Sequence, residues 1–234
     1  TQGYSSAASD VYKRQDVNLG YIDNDTGEEF VVSLPETANG TLIFGGIEAP
    51  GYVYGVGRSV TDVLGIYRLE NKLIDGTGVF SFKNVEGLAR APKSVKDSIT
   101  AAFNYFGENY KKIITGAYEN FDYSLYFNDL QSRGVSDEIS VAEVVGLFSG
   151  LANRPVLPSL VICGRVVMSG SMMPITSELD EIFVAAINAG AKRIMLPVES
   201  SDRYDKLKPE LKNAISAIFY STPLDAAKKA LGVD

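Results

Sequence analysis

Histidine is absent from the 234-residue chain, and cysteine occurs once, at Cys163. Without histidine, neither a Ser-His-Asp triad nor a Cys-His pair can form, and most zinc sites are excluded. A single cysteine cannot make an internal disulfide. Cys163 ends the apolar run Leu160-Val161-Ile162-Cys163, which predicts a buried and inert thiol. Positive charge is also scarce: 22 Lys and Arg stand against 29 Asp and Glu, for a formal net charge of -7, and no basic block is present. Phosphate binding needs clustered positive charge, so the chain on its own is not expected to bind nucleic acid. No apolar run reaches the roughly 18–20 residues of a membrane span, and the first residues lack the apolar centre of a signal peptide. A cytoplasmic location without a membrane partner is the expectation. The phosphate-loop pattern G-x-x-x-x-G-K-S/T is missing. Gly45-Gly46, Gly55 and Gly57 are not closely followed by a helical pattern and read as turns and strand ends. No cofactor and no metal are therefore expected in this chain.

What is present is ordinary globular composition, 45% hydrophobic and 22% charged, with length enough for a core. Residues 1–15 are small, polar and aperiodic and resemble translated adapter sequence; they predict a disordered or artefactual lead-in. Residues 16–48 predict a β-rich extension, in which segments 17–22 and 29–34 flank the hairpin-turn residues Asn24-Asp25-Thr26-Gly27. Further short strands are expected at 41–44, 52–56, 64–69 and 79–82, the last after Asp75-Gly76-Thr77-Gly78. The period then changes. Val95, Ile99, Ala102, Phe103, Phe106, Tyr110 and Ile113 recur at helical spacing, and Ser94 with Asp97 reads as a capping box. Downstream, helices are expected at 141–151, 179–189, 209–215 and 224–231, with strands at 123–127, 160–168, 193–198 and 217–220. The strand from 160 is expected to return after Gly170, and Gly190 to stop the second of these helices. Early strands followed by alternating helices and strands predict an α/β (mixed α+β) fold.

The order of short motifs in residues 49–234 resembles the Lon protease proteolytic domain. Its opening is carried by Pro50-Gly51-Tyr52-Val53-Tyr54-Gly55-Val56, the Gly76-Thr77-Gly78 turn and the helix from Val95. Its second half is carried by Arg154-Pro155-Val156, the stretch Gly164 to Ser171, Met173-Pro174-Ile175, and Ala189-Gly190-Ala191-Lys192-Arg193 leading into Ile194-Met195-Leu196-Pro197. The ending Phe219-Tyr220-Ser221-Thr222-Pro223-Leu224-Asp225 through Val233 resembles the C-terminus of the BrxL family, Lon-related AAA+ proteins of BREX phage-defence systems. Gly65-Ile66-Tyr67-Arg68-Leu69-Glu70 fits the same family. The resemblance implies the Lon proteolytic fold (ribosomal protein S5 domain 2-like) behind a small N-terminal β-hairpin extension. It further implies a piece of a larger AAA+ protein, with ATP bound only in a separate ATPase part. The implied partners are other copies of the chain, that ATPase domain and, through the full-length protein, other BREX proteins or DNA.

Lon enzymes activate a Ser nucleophile with a Lys, because an isolated hydroxyl is unreactive and a desolvated amine can serve as its base. Counting back from Arg154 places the Ser position at Glu138, between Asp137 and Ile139, and aligning the later helix on Ala189-Gly190 places the Lys position at Asp180. No Lys lies between Lys112 and Lys192. The dyad is expected to be absent and peptidase activity with it. Ser136 and Ser140 are the displaced-nucleophile candidates, although capping of the following helix accounts for both more simply. Glu138 and Asp180 read as solvated helix-start acids. If the fold brings them together, two carboxylates at close range would separate, share a proton or recruit a cation. Lys192 and Arg193 precede a strand and read as surface charges.

Overall fold

The structure is a computed structural model and describes residues 18–22, 29–33, 41–81, 91–115 and 118–233. It comprises two compact units, Thr1–Thr41 and Leu42–Asp234. In the first, β1 (Asn18–Ile22) pairs antiparallel with β2 (Glu29–Ser33), with Asn18 opposite Ser33 and Ile22 opposite Glu29. The expected turn at 24–27 and the lead-in 1–15 lie outside the described residues.

The second unit holds a seven-stranded sheet. Its strands are β3 (Tyr52–Arg58), β4 (Leu64–Asp75), β5 (Phe80–Ser81), β6 (Phe121–Asp129), β7 (Leu160–Ile162), β10 (Arg193–Pro197) and β11 (Ser216–Tyr220). A separate antiparallel pair is made by β8 (Arg165–Val166) and β9 (Met172–Met173). The large sheet runs β11-β10-β7-β3-β4-β6-β5. Its β11, β10, β7 and β3 are mutually parallel, β4 is antiparallel to both β3 and β6, and β5 is parallel to β6. The helices are α1 (Lys93–Asn109), α2 (Ser140–Leu151), α3 (Leu179–Asn188), α4 (Ser201–Asp205), α5 (Pro209–Ala214) and α6 (Pro223–Leu231). This is the mixed α/β architecture that the alternating pattern predicts.

Strand periodicity decides which face each helix covers. Val53, Leu69 and Leu125 point to one side and pack with Phe106 of α1, Val144 and Phe148 of α2 and Ala227 of α6. Tyr54, Val56 and Ile66, one residue out of phase, point to the other and pack with Ile182, Phe183 and Ala186 of α3. From Ser140 to Ser149 every residue of α2 is buried, because layers of structure enclose this helix on all sides. The last helix has the clearest terminal signals. Thr222 accepts a hydrogen bond from the Asp225 N–H at 3.1 Å, Pro223 opens the helix, and Gly232 closes it in the left-handed conformation (φ 61°).

Four expectations are corrected. Residues 41–44 form no strand; Ile43 instead buries its side chain beneath α3 and donates its N–H to the Ala189 carbonyl at 2.9 Å. The strand beginning at Leu64 runs to Asp75, because β6 pairs with it continuously from Tyr67 opposite Asp129 to Asp75 opposite Phe121. The Ser94–Asp97 capping box does not form: Pro92 is the N-cap of α1, and Asp97 binds Lys93 at 2.7 Å. The run 160–168 is broken at Gly164 (φ +148°), which separates β7 from β8, although the chain does return, as expected, after Gly170. Among the described residues, no helix is long and apolar enough to cross a membrane.

Candidate functional site

The end of β3, the loop before α2 and the loop leading into α3 converge on Glu138. Gly55 and Gly57 make this approach possible. A Cβ on Gly57 would lie 2.9 Å from both Glu138 Cβ and Ser136 Oγ, and one on Gly55 would lie 3.0 Å from Ile139 Cγ2. Both glycines therefore serve close packing inside a strand, not the turns and strand ends expected of them. Ser59 forms an antiparallel bridge with Ser136, which ties the two segments together.

Glu138 is half-buried and bonded, not a freely solvated acid. Its Oε2 accepts the Arg58 N–H at 2.6 Å and its Oε1 accepts the Thr176 hydroxyl at 3.3 Å. Arg58 then links three elements through its guanidinium, which reaches Glu181 at 2.8 Å, Ser177 Oγ at 3.1 Å and the Asp62 carboxylate at 3.4 Å. Asp180 lies exposed in the first turn of α3 and shares no hydrogen bond or ion pair with Glu138. The carboxylate that the fold brings to Arg58 is the next one, Glu181. Among the described residues, no grouping of three or more Cys, Asp or Glu is placed to hold a metal ion.

Neither candidate serine caps α2. Ser136 is buried; its hydroxyl donates to the Arg58 carbonyl at 2.7 Å and accepts the Glu138 N–H at 3.1 Å. Ser140 is the first residue of the helix, also buried, and its hydroxyl accepts the Val166 N–H at 2.9 Å and donates to the Val166 carbonyl at 3.3 Å. The N-cap position belongs to Ile139, which has no capping side chain. Both hydroxyl protons are thus committed to backbone carbonyls. The cations bonded in this region are arginines, whose guanidinium stays protonated and cannot act as a general base at neutral pH.

A cavity of about 100 Å³ opens beside Glu138, walled by Cys163, Gly164, Arg165, Met173, Pro174 and Thr176 among others. Arg165 also borders a groove of about 340 Å³ shared with Asp97, Ser98 and Ala101 of α1 and with Val167 to Ser169. Its guanidinium pairs with Asp137 at 3.1 Å. The loop leading into α3 is held from below by Arg203, which donates to the carbonyls of Ile175 at 2.8 Å and Ser177 at 2.5 Å. Cys163 is among the residues that wall this cavity; its thiol is buried, as expected, and burial pushes its pKa up, away from reactivity. Arg193, expected as a surface charge, is partly buried and donates to the Pro158 carbonyl at 2.7 Å, whereas Lys192 is exposed. Arg58, Thr176, Glu181, Arg165 and Arg203 were not foreseen from sequence, since their partners lie far away along the chain.

Residues 51–232 match the Lon protease (S16) C-terminal proteolytic domain. The chain is 36% identical over 220 residues to the "Lon-like protease BrxL" of Bacillus cereus (strain H3081.97), an alignment covering 94% of this chain and 32% of that protein. Identity is again 36% over 220 residues to the "Lon-like protease BrxL" of Escherichia coli O9:H4 (strain HS), covering 94% and 31%. A shorter alignment, 32% identical over 85 residues, links it to the "Lon protease homolog, mitochondrial" of Ostreococcus lucimarinus (strain CCE9901), covering 36% of this chain and 9% of that protein. The chain spans about a third of the length of the two BrxL relatives. With the family match extending from β3 through α6 and across the site around Glu138, this chain belongs to the Lon C-terminal proteolytic-domain family.

Proposed function

We propose that this chain is a non-proteolytic Lon-like domain of a BrxL-type AAA+ protein, and that it serves assembly or partner binding in phage defence. The observation that carries this reading is the state of Glu138. At the position that counting back from Arg154 assigns to the family's nucleophile stands a carboxylate bonded to the Arg58 amide and the Thr176 hydroxyl. Ser136 and Ser140 donate to backbone carbonyls, and no Lys occurs between Lys112 and Lys192 to take a proton from either. A carboxylate in place of the amine would be a weak base, since its ordinary pKa is near 4. On this reading ATP binds a separate part of the full-length protein. The partners are further copies of the chain, the ATPase domain and, through the full-length protein, other BREX proteins or DNA, and the location is cytoplasmic.

The test is casein or peptide cleavage by a protein that includes the ATPase part, comparing wild type with Ser136→Ala and Ser140→Ala. We expect no cleavage above background in any of the three. Cleavage by wild type that disappears in either variant, with folding intact, overturns the proposal and establishes a Lon-type serine peptidase with a displaced catalytic pair.

A further inference from the structure

Helix α2 presents a polar stripe to the rest of the core at Ser140, Glu143 and Ser149, with Gly146 between the last two. The hydroxyls at its ends are saturated. Ser140 exchanges two hydrogen bonds with Val166, and Ser149 accepts the Gly51 N–H at 2.9 Å while donating to the Arg154 carbonyl at 2.6 Å. Glu143, in the middle, is not saturated. It is 1% exposed, Oε2 has one donor, the Asn71 side-chain amide at 3.4 Å, and Oε1 has no partner.

Asn71 is itself buried on β4. Its Nδ2 lies 3.4 Å from both the Gly51 carbonyl and Glu143 Oε2, two acceptors, which fixes which way the amide points. Its Oδ1 is left without a donor. The pocket therefore holds two orphan acceptor oxygens and is short of protons. It is also tightly built: a Cβ on Gly146 would collide with Asn71 Nδ2.

Among the described residues, no cation is bonded to Glu143. The buried phenols Tyr67 of β4 and Tyr123 of β6 belong to the core cluster that encloses α2. Arg165 beside α2 is engaged with Asp137. On α1, Lys93 pairs with Asp97, and on α6, Lys229 pairs with Asp225. None of these is bonded to Glu143, and β3 and α6 contribute Val53 and Ala227 to the apolar cluster around α2. An isolated ionised carboxylate is too costly in such surroundings, whereas the acid form removes the charge and supplies a proton.

We propose that Glu143 is carried as a neutral carboxylic acid seated against Asn71, and that its ionisation loosens α2 from β4, which makes this helix a pH-sensitive latch behind the Glu138 site. The inference does not depend on whether the domain cleaves peptides. Burial pushes the carboxyl from its ordinary 4.5 up to about 8, only partly offset by the Asn71 amide. The sign follows from linkage. Below pH 4.5 the group is neutral in both folded and unfolded chains, and its full stability is present. As pH rises toward 8 the unfolded chain has lost the proton and the folded one must retain it, so stability falls; above 8 the folded state is charged as well and the loss is complete.

The experiment is thermal unfolding of this chain from pH 5 to 9, with wild type beside Glu143→Gln, together with a carbon-13 glutamate NMR titration of wild type. The expected result is a Tm that falls more steeply with rising pH in wild type than in Glu143→Gln, and a Glu143 carboxyl resonance that titrates well above the other glutamates. α2 amides that lose protection on the same midpoint would link the ionisation to the latch. Parallel Tm profiles, or a Glu143 midpoint in the ordinary carboxylate range, overturn the proposal. The titration needs no variant, so a Glu143→Gln chain that fails to fold still leaves it decidable. A high midpoint without loss of α2 protection overturns the latch and leaves only a neutral acid.

Discussion

A Cβ on Gly57 would stand 2.9 Å from two atoms of the loop before α2, so a single methyl there presses on both Glu138 and Ser136. We expect Gly57→Ala to destabilise the domain by about 1–3 kcal/mol, the usual cost of overpacking. Urea unfolding with an unchanged midpoint would show that the loop yields freely. Cys163 gives a second test at this scale. Its thiol is buried and its pKa is raised, so reaction with a thiol reagent should wait for unfolding of the domain. Rapid labelling under native conditions would contradict that burial. Tyr220 sits close by, and its hydroxyl donates to the Cys163 carbonyl at 2.7 Å in a buried setting. Tyr220→Phe leaves that carbonyl unpaired and should cost about 1–3 kcal/mol in the same urea experiment, which an unchanged midpoint would refute.

Elements whose identity depends on near neighbours were legible in the sequence. The 3.6-residue recurrence from Val95 to Phe106 marks α1, and the Thr222-Pro223 opening and Gly232 ending mark α6. The short run from Tyr52 to Val56 marks β3. What failed depended on distant partners. Nothing local in residues 70–75 announces a strand; β6 makes them one. Residues 41–44 have strand composition, but Ile43 is packed beneath α3 and bonded to the Ala189 carbonyl instead. At the site, counting from Arg154 pointed to Glu138, but the partners that hold it, Arg58 and Thr176, are 80 and 38 residues away. Such pairings leave no periodic trace. The local signals are open to test as well. Thr222→Ala removes the side-chain cap of α6 and should lower stability by about 0.5–2 kcal/mol, measurable by thermal or urea unfolding. No loss would mean that packing of Ala226, Ala227 and Ala230 holds the helix without the cap.

For the whole molecule, the assembly role proposed above predicts that the isolated chain self-associates at least weakly. Sedimentation that finds monomer alone at high concentration would count against an intrinsic contact. The order of the sheet has another consequence, one that concerns time. β3 lies at its centre, yet its parallel partner β7 meets it through Tyr54 opposite Val161, about a hundred residues later in the chain. At ribosomal rates of about 5–20 residues per second, that separation is a wait of roughly 5–20 s. Until β7 emerges, one flank of β3 offers unpaired amides and carbonyls beside Val53, Tyr54 and Val56, the kind of open strand on which nascent chains aggregate. The chaperone demand of this domain should therefore fall within that interval of its synthesis, and it should end once the strand beginning at Leu160 has cleared the ribosome.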